Sequence, residues 1–273
     1  MTRTERAGDP EAVVAGLEAM DVALFRGLAG ALDLEFVEAV DHAHVRCGVR
    51  GGGLNRVMAV RLPPDDLDGA VERIMAPFRQ QSLPMHWSLW PTAQPADVGR
   101  HLERHGLTDG GERPGMAIDL ARLPAAPAAP ADVEIRPVTD AATRRLWFDV
   151  ASAVFGFSPA LAEAFQRGPA RSEATEARPL THVVALRAGA AVAVASVVAA
   201  GGVAGLGWVG TVPAARRQGI GAAVTLAALR LGRDRGCQTG GLWASPLGRG
   251  VYRRLGFEEV CPLRYYAWSP PAS

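Results

Sequence analysis

Residues 188–215 contain no charged side chain and consist mainly of alanine, valine and glycine. The stretch is long enough for one helix to span a bilayer. A Gly-Gly pair at 201–202 and three glycines behind it oppose a helix, because glycine loses the most backbone entropy there. Two buried β-strands joined by a Gly-Gly turn suit the same residues. The stretch therefore predicts two adjacent buried strands and no membrane span.

The composition is that of a folded protein with small or locally recognised partners. Hydrophobic residues make up 48% of the 273, which can supply a sizeable core. The net charge of +1 comes without long basic or acidic runs, which argues against nucleic acid and anionic membranes as partners. Cys47, Cys237 and Cys261 are too few and dispersed for a disulfide framework, and residues 1–10 lack the apolar core of a secretory signal. We therefore expect a cytoplasmic protein.

A proline-rich segment divides the chain. Three prolines spaced by Ala-Ala pairs over residues 124–130 favour an extended connector. We expect a first domain over 1–123, a linker over 124–131 and a second domain over 132–273.

The second half predicts an α/β domain. A first strand begins at Val133, and a long amphipathic helix covers 219–235. The other expected elements are helices at 139–155, 159–171 and 250–255, strands at 182–187, 191–199, 203–212 and 240–244, and two closing strands. This order is typical of a mixed sheet flanked by helices.

The first half repeats features of the second at an offset of about 150 residues. A strand ending at a proline occurs at 57–63 and again at 206–213. Ser88-Leu-Trp-Pro parallels Gly241-Leu-Trp-Ala, and the segment from His101 to Leu107 parallels the segment from Val251 to Phe257. The shared order predicts the same fold twice.

A glycine- and arginine-rich loop separates the strand at 203–212 from the helix that follows. The loop has the sequence Arg-Arg-Gln-Gly-Ile-Gly over 216–221. The first backbone N–H groups of the following helix have no partner within the helix, and the glycines leave room for an anion to reach them. The structural alternative is that the glycines only let the helix pack closely on the sheet, with the arginines in solvent. The corresponding place in the first half reads Pro-Asp-Asp-Leu-Asp over 64–68, and carboxylates there would repel phosphate. A G-x-G-x-x-G match at 205–210 is followed by Thr-Val-Pro instead of a helix, which argues against a nicotinamide or flavin site.

The segment from Val209 to Gly221 resembles motif A of the GCN5-related N-acetyltransferases, the GNAT family, whose R/Q-x-x-G-x-G/A pattern is met by Arg216, Gly219 and Gly221. The resemblance covers about 132–268, and 34–120 only as a degenerate copy without a phosphate loop. It implies a mixed, mostly antiparallel central sheet flanked by helices, with acetyl-CoA as co-substrate. It also implies a bulge in the strand before the loop, for which Gly207 and Gly210 are suitable places. The residues it assigns to acetyl-CoA are Val209, Gly210, Thr211, Arg216, Arg217, Gln218, Gly219, Ile220, Gly221, Ala222 and Ser245.

The segment from Ser245 to Phe257 resembles motif B of the same family, with Tyr252, Gly256 and Phe257 in register. Ser245 stands where asparagine is usual, so its contact with pantetheine is open. The resemblance implies that Tyr252 protonates the departing thiolate, as a phenol near pKa 10 can do. The alternative is that Tyr252 is an ordinary residue of an amphipathic helix.

The base that deprotonates the amine is not identifiable in the sequence. Family members commonly use a glutamate on the strand before the loop, but 203–212 has no carboxylate. Glu173, Glu176 and His182 are outside candidates. His101 and His105 resemble a zinc helix without matching H-E-x-x-H, and His42 and His44 suit an exposed or core strand, so no metal is predicted.

The sequence thus predicts an N-acetyltransferase in which an amine of a small molecule or peptide attacks acetyl-CoA directly. A non-catalytic acyl-CoA-binding or sensor module is the main alternative. Transfer of a longer acyl group, or transfer to a hydroxyl, is a third. The aspartates at 65, 66 and 68 predict that the first half binds no CoA and instead walls the acceptor cleft.

Overall fold

The computed structural model describes residues 9–32, 34–48, 53–124, 129–158, 161, 163 and 180–271. The helix expected over 159–171 lies almost wholly outside them, as do Glu173 and Glu176. The helices are α1 (Pro10–Leu32), α2 (Leu67–Gln80), α3 (Val98–Arg104), α4 (Ala141–Phe155), α5 (Ile220–Asp234) and α6 (Pro246–Arg254). The strands are β1 (Glu35–Glu38), β2 (Ala43–Arg46), β3 (Arg56–Met58), β4 (Met85–Leu89), β5 (Thr108–Asp119), β6 (Val133–Pro137), β7 (Leu180–Arg187), β8 (Ala190–Ala200), β9 (Val203–Thr211), β10 (Thr239–Trp243) and β11 (Glu258–Trp268).

The uncharged stretch forms β8 and β9, as predicted. Gly201 and Gly202 make the turn with φ of 55° and 75°, a region that favours glycine. The two strands pair in an antiparallel ladder, and most of their side chains are buried. In the part of the chain described, no helix is long and apolar enough to cross a membrane.

The described strands form one sheet in the order β1-β2-β3-β4-β11-β5-β10-β9-β8-β7-β6. The β3–β4 and β9–β10 pairs are parallel and the others antiparallel, which confirms the predicted mixed, mostly antiparallel sheet. β11 lies between β4 and β5, and β5 lies between β11 and β10. Each half therefore places its last strand inside the other half, and the sheet continues through both. The domain boundary at the linker stays a prediction.

The expectation of two closing strands is wrong, because one strand, β11, covers both. Its ladder with β5 shifts register between Glu259 and Cys261 and again between Arg264 and Tyr266. The strand continues through these irregularities because β5 flanks it along its length and β4 supports its C-terminal part.

Three helices cover the second half of the sheet. α5 packs with Ala185, Ala195 and Leu206 in one core, while α1 and α4 pack on the opposite face with Val184 and Val194. This division follows from the alternation of side chains along a strand. α2 and α3 form another core with β3 and β4.

Glycines bring α1 unusually close to β9 and β10. A Cβ added at Gly205 would lie 2.5 Å from Met20, and one at Gly241 would lie 2.5 Å from Leu17. Real Cβ atoms do not approach so closely, so larger residues there would push α1 away. The N-terminal helix thus lies across the strand that leads into the glycine- and arginine-rich loop. No pattern singled out in the sequence predicted this helix.

Candidate active site

Strands β9 and β10 separate partway along their length. They pair in parallel at three positions, the last of which joins Gly205 to Gly241. Beyond that point β9 bulges, because three residue steps from Gly207 to Gly210 face two from Ser196 to Val194 on β8. Trp208 lies in the bulge with φ of 46°, which is uncommon for a non-glycine residue. The bulge is therefore between the two glycines that the sequence suggested.

A cavity of about 280 Å³ lies where the strands separate. Its second-half wall includes residues 206–209 of β9, the end of β10, Ser245 and Tyr252 at α6, Phe155 of α4 and Tyr265 of β11. Its first-half wall comes from α1 and from residues 53–56 at the start of β3. The two halves thus build this cavity together.

The loop after β9 presents a helix start to solvent. Gly219 is the N-cap of α5 with φ of 79°, and a side chain there would meet open space. The first backbone hydrogen bond of α5 runs from Ala223 N to Gly219 O (3.0 Å), and in the described part of the chain no side chain caps this end. The preceding amides are therefore available to an anion, and the helix dipole favours negative charge there.

Two of the predicted loop side chains hold the loop in place. Arg216 donates from Nε to the Thr211 carbonyl (3.0 Å), and Gln218 accepts from Arg187 Nη1 (2.7 Å). Arg217 is exposed and has φ of 60°. The Arg217 side chain is therefore open to solvent at the loop, while Arg216 supports the loop backbone.

The remaining predicted cofactor residues divide between cavity and packing. Val209 lines the cavity. Gly210 makes room for α4, since a Cβ there would lie 2.9 Å from Val154. Ile220 is a core residue, and Gly221 approaches the Thr211 hydroxyl so closely that a Cβ would lie 3.3 Å away. Ala222 is half-buried and packs against the hydrophobic core between α5 and the sheet.

Tyr252 lies on α6 and lines the same cavity as Val209. Ser245 is the N-cap of α6 and accepts a hydrogen bond from Gly248 N (3.2 Å), so its hydroxyl supports the helix as well as the cavity wall. The ring of Tyr252 packs edge-on against Phe257, with centroids 5.6 Å apart. Burial raises the pKa of Tyr252 to about 12, so the hydroxyl keeps its proton at neutral pH.

The first half contributes an ionic pair that sequence reasoning missed. Arg56 and Asp21 are both buried, with Arg56 Nη1 4.0 Å from Asp21 Oδ1. Arg56 donates to Ser88 Oγ (2.9 Å) and to the hydroxyl of Tyr265 (2.7 Å). Its guanidinium also lies 5.5 Å from the ring centroid of Trp243. All of these except Ser88 line the cavity.

One sequence signal does point to this pair. The repeated Leu-Trp dipeptide ends in Trp90 and Trp243, and both indoles reach the same carboxylate. Trp90 donates to Asp21 Oδ2 (3.3 Å) and Trp243 donates to Oδ1 (3.4 Å), both at the long end of the hydrogen-bond range. The repeat therefore marks a shared contact, although nothing in it identified the acceptor.

The candidate base His182 lies outside the residues that line the cavity in the described structure. Its Nδ1 is 2.7 Å from Ser196 Oγ, and its ring lies 4.3 Å from that of Trp147. Burial lowers the pKa of His182 to about 4. It is therefore a half-buried histidine held by Ser196 and Trp147, away from the cavity.

The histidine pairs also have structural partners. His101 and His105 both contact Asp68, at 2.9 and 3.2 Å, and His42 lies 3.1 Å from His44. Among the described residues, no group of three or more His, Cys, Asp or Glu side chains could hold a metal ion.

The separated strands β9 and β10, the open start of α5 and Tyr252 all lie in one α/β segment of the chain. A family model described as "Acetyltransferase (GNAT) domain" matches residues 178–259. The second half of the chain therefore carries a GNAT acetyltransferase domain, and the protein is an acyltransferase.

Solved structures share the fold over nearly the whole chain. A GCN5-related N-acetyltransferase from Kribbella flavida is 24% identical, with a TM-score of 0.65 and coverage of 93% of this chain and 96% of its own. One from Sphaerobacter thermophilus is 17% identical, with a TM-score of 0.63 and coverage of 98% and 96%. A tandem GNAT protein from the clavulanic acid biosynthesis pathway is 17% identical, with a TM-score of 0.57 and 98% of each chain covered. A comparison with curated protein sequences found no match.

Proposed function

We propose that the protein transfers the acetyl group of acetyl-CoA to an amine by direct attack. The observation that carries this proposal is the grouping of three features around the end of β9. The open start of α5 follows that end along the chain, and Trp208 of the bulge and the hydroxyl-bearing Tyr252 line one cavity where β9 and β10 separate.

The chain's residues fit acetyl-CoA as a substrate. The amides at Gly219 and after it, with Arg217, suit the diphosphate, since a helix start and a nearby guanidinium both favour anions. The bulge leaves Trp208 and Val209 outside the ladder with β8, so their backbone groups can pair with the pantetheine arm. The thioester would then enter the cavity that Tyr252 lines.

Tyr252 is proposed as the acid that meets the leaving sulfur. With a pKa of about 12, its phenol is a weaker acid than a thiol near 8.5. It therefore stabilises the thiolate mainly by donating a hydrogen bond, and passes its proton only as it regains one from the new amide nitrogen. This predicts a moderate contribution to the rate.

The acceptor is proposed to be an amine of a small molecule or peptide that enters the part of the cavity walled by α1 and β3. The cytoplasm, which supplies acetyl-CoA, is the proposed location. Cys47, Cys237 and Cys261 form no disulfide in the described structure, which a reducing compartment would allow.

Thiol release from acetyl-CoA across a panel of primary amines tests the proposal. We expect release that depends on the amine and exceeds the amine-free control. Tight binding of acetyl-CoA without release for any amine would instead favour the alternative, a non-catalytic acyl-CoA sensor. Mass spectrometry of the products would separate N-acetylation from transfer to a hydroxyl.

A further inference from the structure

Asp21 is a buried carboxylate on the wall of the cavity. It lies on α1, has no exposed surface and lines the cavity together with Tyr252. α1 comes from the opposite half of the chain to the acetyl-CoA loop. The close approach of α1 to the glycines of β9 and β10 is what brings this carboxylate to the gap.

The surroundings hold Asp21 in place without neutralising it completely. Each oxygen accepts one indole N–H, from Trp90 or Trp243, and each therefore keeps a lone pair. The cation paired with Asp21 is Arg56, whose Nη1 and Nη2 donate hydrogen bonds to Ser88 and Tyr265. Its Nη1 lies 4.0 Å from Asp21 Oδ1. Asp21 can therefore accept one more hydrogen bond at each oxygen.

Burial raises the pKa of Asp21 above its ordinary value of 3.8. The charge of Arg56 and the two indole donors oppose this, and the charge of Glu18, one turn earlier on α1, adds to it. A carboxylate with a raised pKa is a stronger base than one in water, which suits removal of a proton from an amine.

We infer that Asp21 accepts the proton of the attacking amine across one water molecule, which must first enter from the cavity beside the buried carboxylate. This inference rests on the proposed function. It supplies the base that β9 lacks, since β9 carries no carboxylate and His182 packs beside Trp147 outside the residues that line the cavity. A cavity of about 280 Å³ has room for a bridging water beside a small acceptor.

The ammonium group of the acceptor gives one proton, through the water molecule, to the Asp21 carboxylate. The resulting neutral amine attacks the thioester carbon. The C–N bond forms and the C–S bond breaks. The sulfur receives the Tyr252 proton, Tyr252 regains one from the amide nitrogen, and Asp21 releases its proton to solvent after the product leaves.

The competing view is that Asp21 only anchors α1 through the two tryptophans. The Asp21→Asn variant keeps the shape of the side chain while removing its basicity. We expect kcat with an accepted amine to fall by about 100-fold or more, with acetyl-CoA affinity unchanged. The matched control is Glu38→Gln, which removes an exposed carboxylate that pairs with Arg26 of α1 outside the cavity, and its kcat should stay near wild type.

A second variant remains informative if Asp21→Asn fails to fold. Trp90→Phe removes one donor to Asp21 from outside the cavity and should raise the pKa of the carboxylate. Since the base must be deprotonated, the acid limb of the kcat–pH profile should move to higher pH, whereas an anchoring role would leave it in place.

The outcomes separate this inference from the proposed function. If wild type releases thiol with an amine while Asp21→Asn keeps its kcat, or the Trp90→Phe profile does not move, Asp21 is not the base and the acetyltransferase stands. If wild type releases thiol with no amine in the panel, both ideas fall.

Discussion

The starts of α2 and α5 occupy corresponding places in the two halves, and they have opposite electrostatics. Each helix follows a strand that forms a parallel pair, β3 with β4 and β9 with β10. At α5 the helix start is open, with Gly219 as its N-cap. At α2, Asp66 is the N-cap and pairs with Arg73 at 2.7 Å, while Asp68 contacts His101.

Hydrogen bonding from His101 lowers the pKa of Asp68 below its ordinary value, which favours the charged carboxylate. A charged carboxylate at a helix start interacts with the partial positive charge of the helix N-terminus, so less of that charge is left to attract a phosphate. The comparison teaches that helix starts at corresponding places can differ in charge: the start of α5 is the proposed anion site, whereas the start of α2 carries its own carboxylates.

The two halves also differ at the helix that carries the tyrosine. In the predicted repeat, Leu102 of α3 corresponds to Tyr252 of α6, and Leu102 is completely buried in the core. The tryptophans at the strand ends are retained in both, and both reach Asp21. What the halves share therefore supports the cavity, and what they do not share is the proposed chemistry.

The largest effect is expected at the open helix start. Gly219→Glu should weaken acetyl-CoA binding by about 100-fold or more, because like charges ~4 Å apart near a surface repel by about 4 kcal/mol. Gly236→Glu is the matched control, since Gly236 follows α5 with φ of 86° and also faces open space. Calorimetric titration of both variants measures the effect. Equal affinities would place the diphosphate elsewhere.

The next effect tests how the halves hold together. Arg56→Leu leaves Asp21 buried without its cation, and breaking such a pair costs about 3–5 kcal/mol of unfolding free energy. Arg73→Leu removes an exposed pair at the start of α2 and should cost about 1 kcal/mol or less. Denaturant unfolding compares the two. A similar small loss in both would show that the buried pair adds little to the stability of the fold.

A smaller effect is expected at Tyr252. Tyr252→Phe keeps the ring against Phe257 and deletes the proton, so kcat should fall by about 100-fold, the low end for general acid catalysis. Tyr266→Phe is the control, because this buried tyrosine lies outside the residues that line the cavity. Turnover at saturating acetyl-CoA is the measurement, and an unchanged kcat with chemistry rate-limiting would make Tyr252 structural.

The last prediction is that the first half of the chain binds no acetyl-CoA. Acetyl-CoA should bind with a stoichiometry of one per chain, since the aspartates at the start of α2 repel phosphate. Calorimetry of the wild-type chain gives this number directly. Two sites per chain would remove the distinction between the halves.

The sequence by itself determined the elements whose signals are contiguous. The uncharged stretch specified β8 and β9, because alternation, β-branched residues and a Gly-Gly turn are local properties. The loop before α5 and the tyrosine on α6 were identifiable for the same reason, since spacing along one helix start or one helix face is fixed by the chain itself. Their chemical roles remain predictions.

Only the tertiary structure decided what faces these elements. Arg56 and Tyr265 are 209 positions apart and meet because β11 crosses into the first half of the sheet. Asp21 reaches the cavity because glycines on β9 and β10 admit α1. Neither contact leaves a periodic pattern in its own segment, because strand exchange and helix docking depend on surfaces contributed by distant parts of the chain.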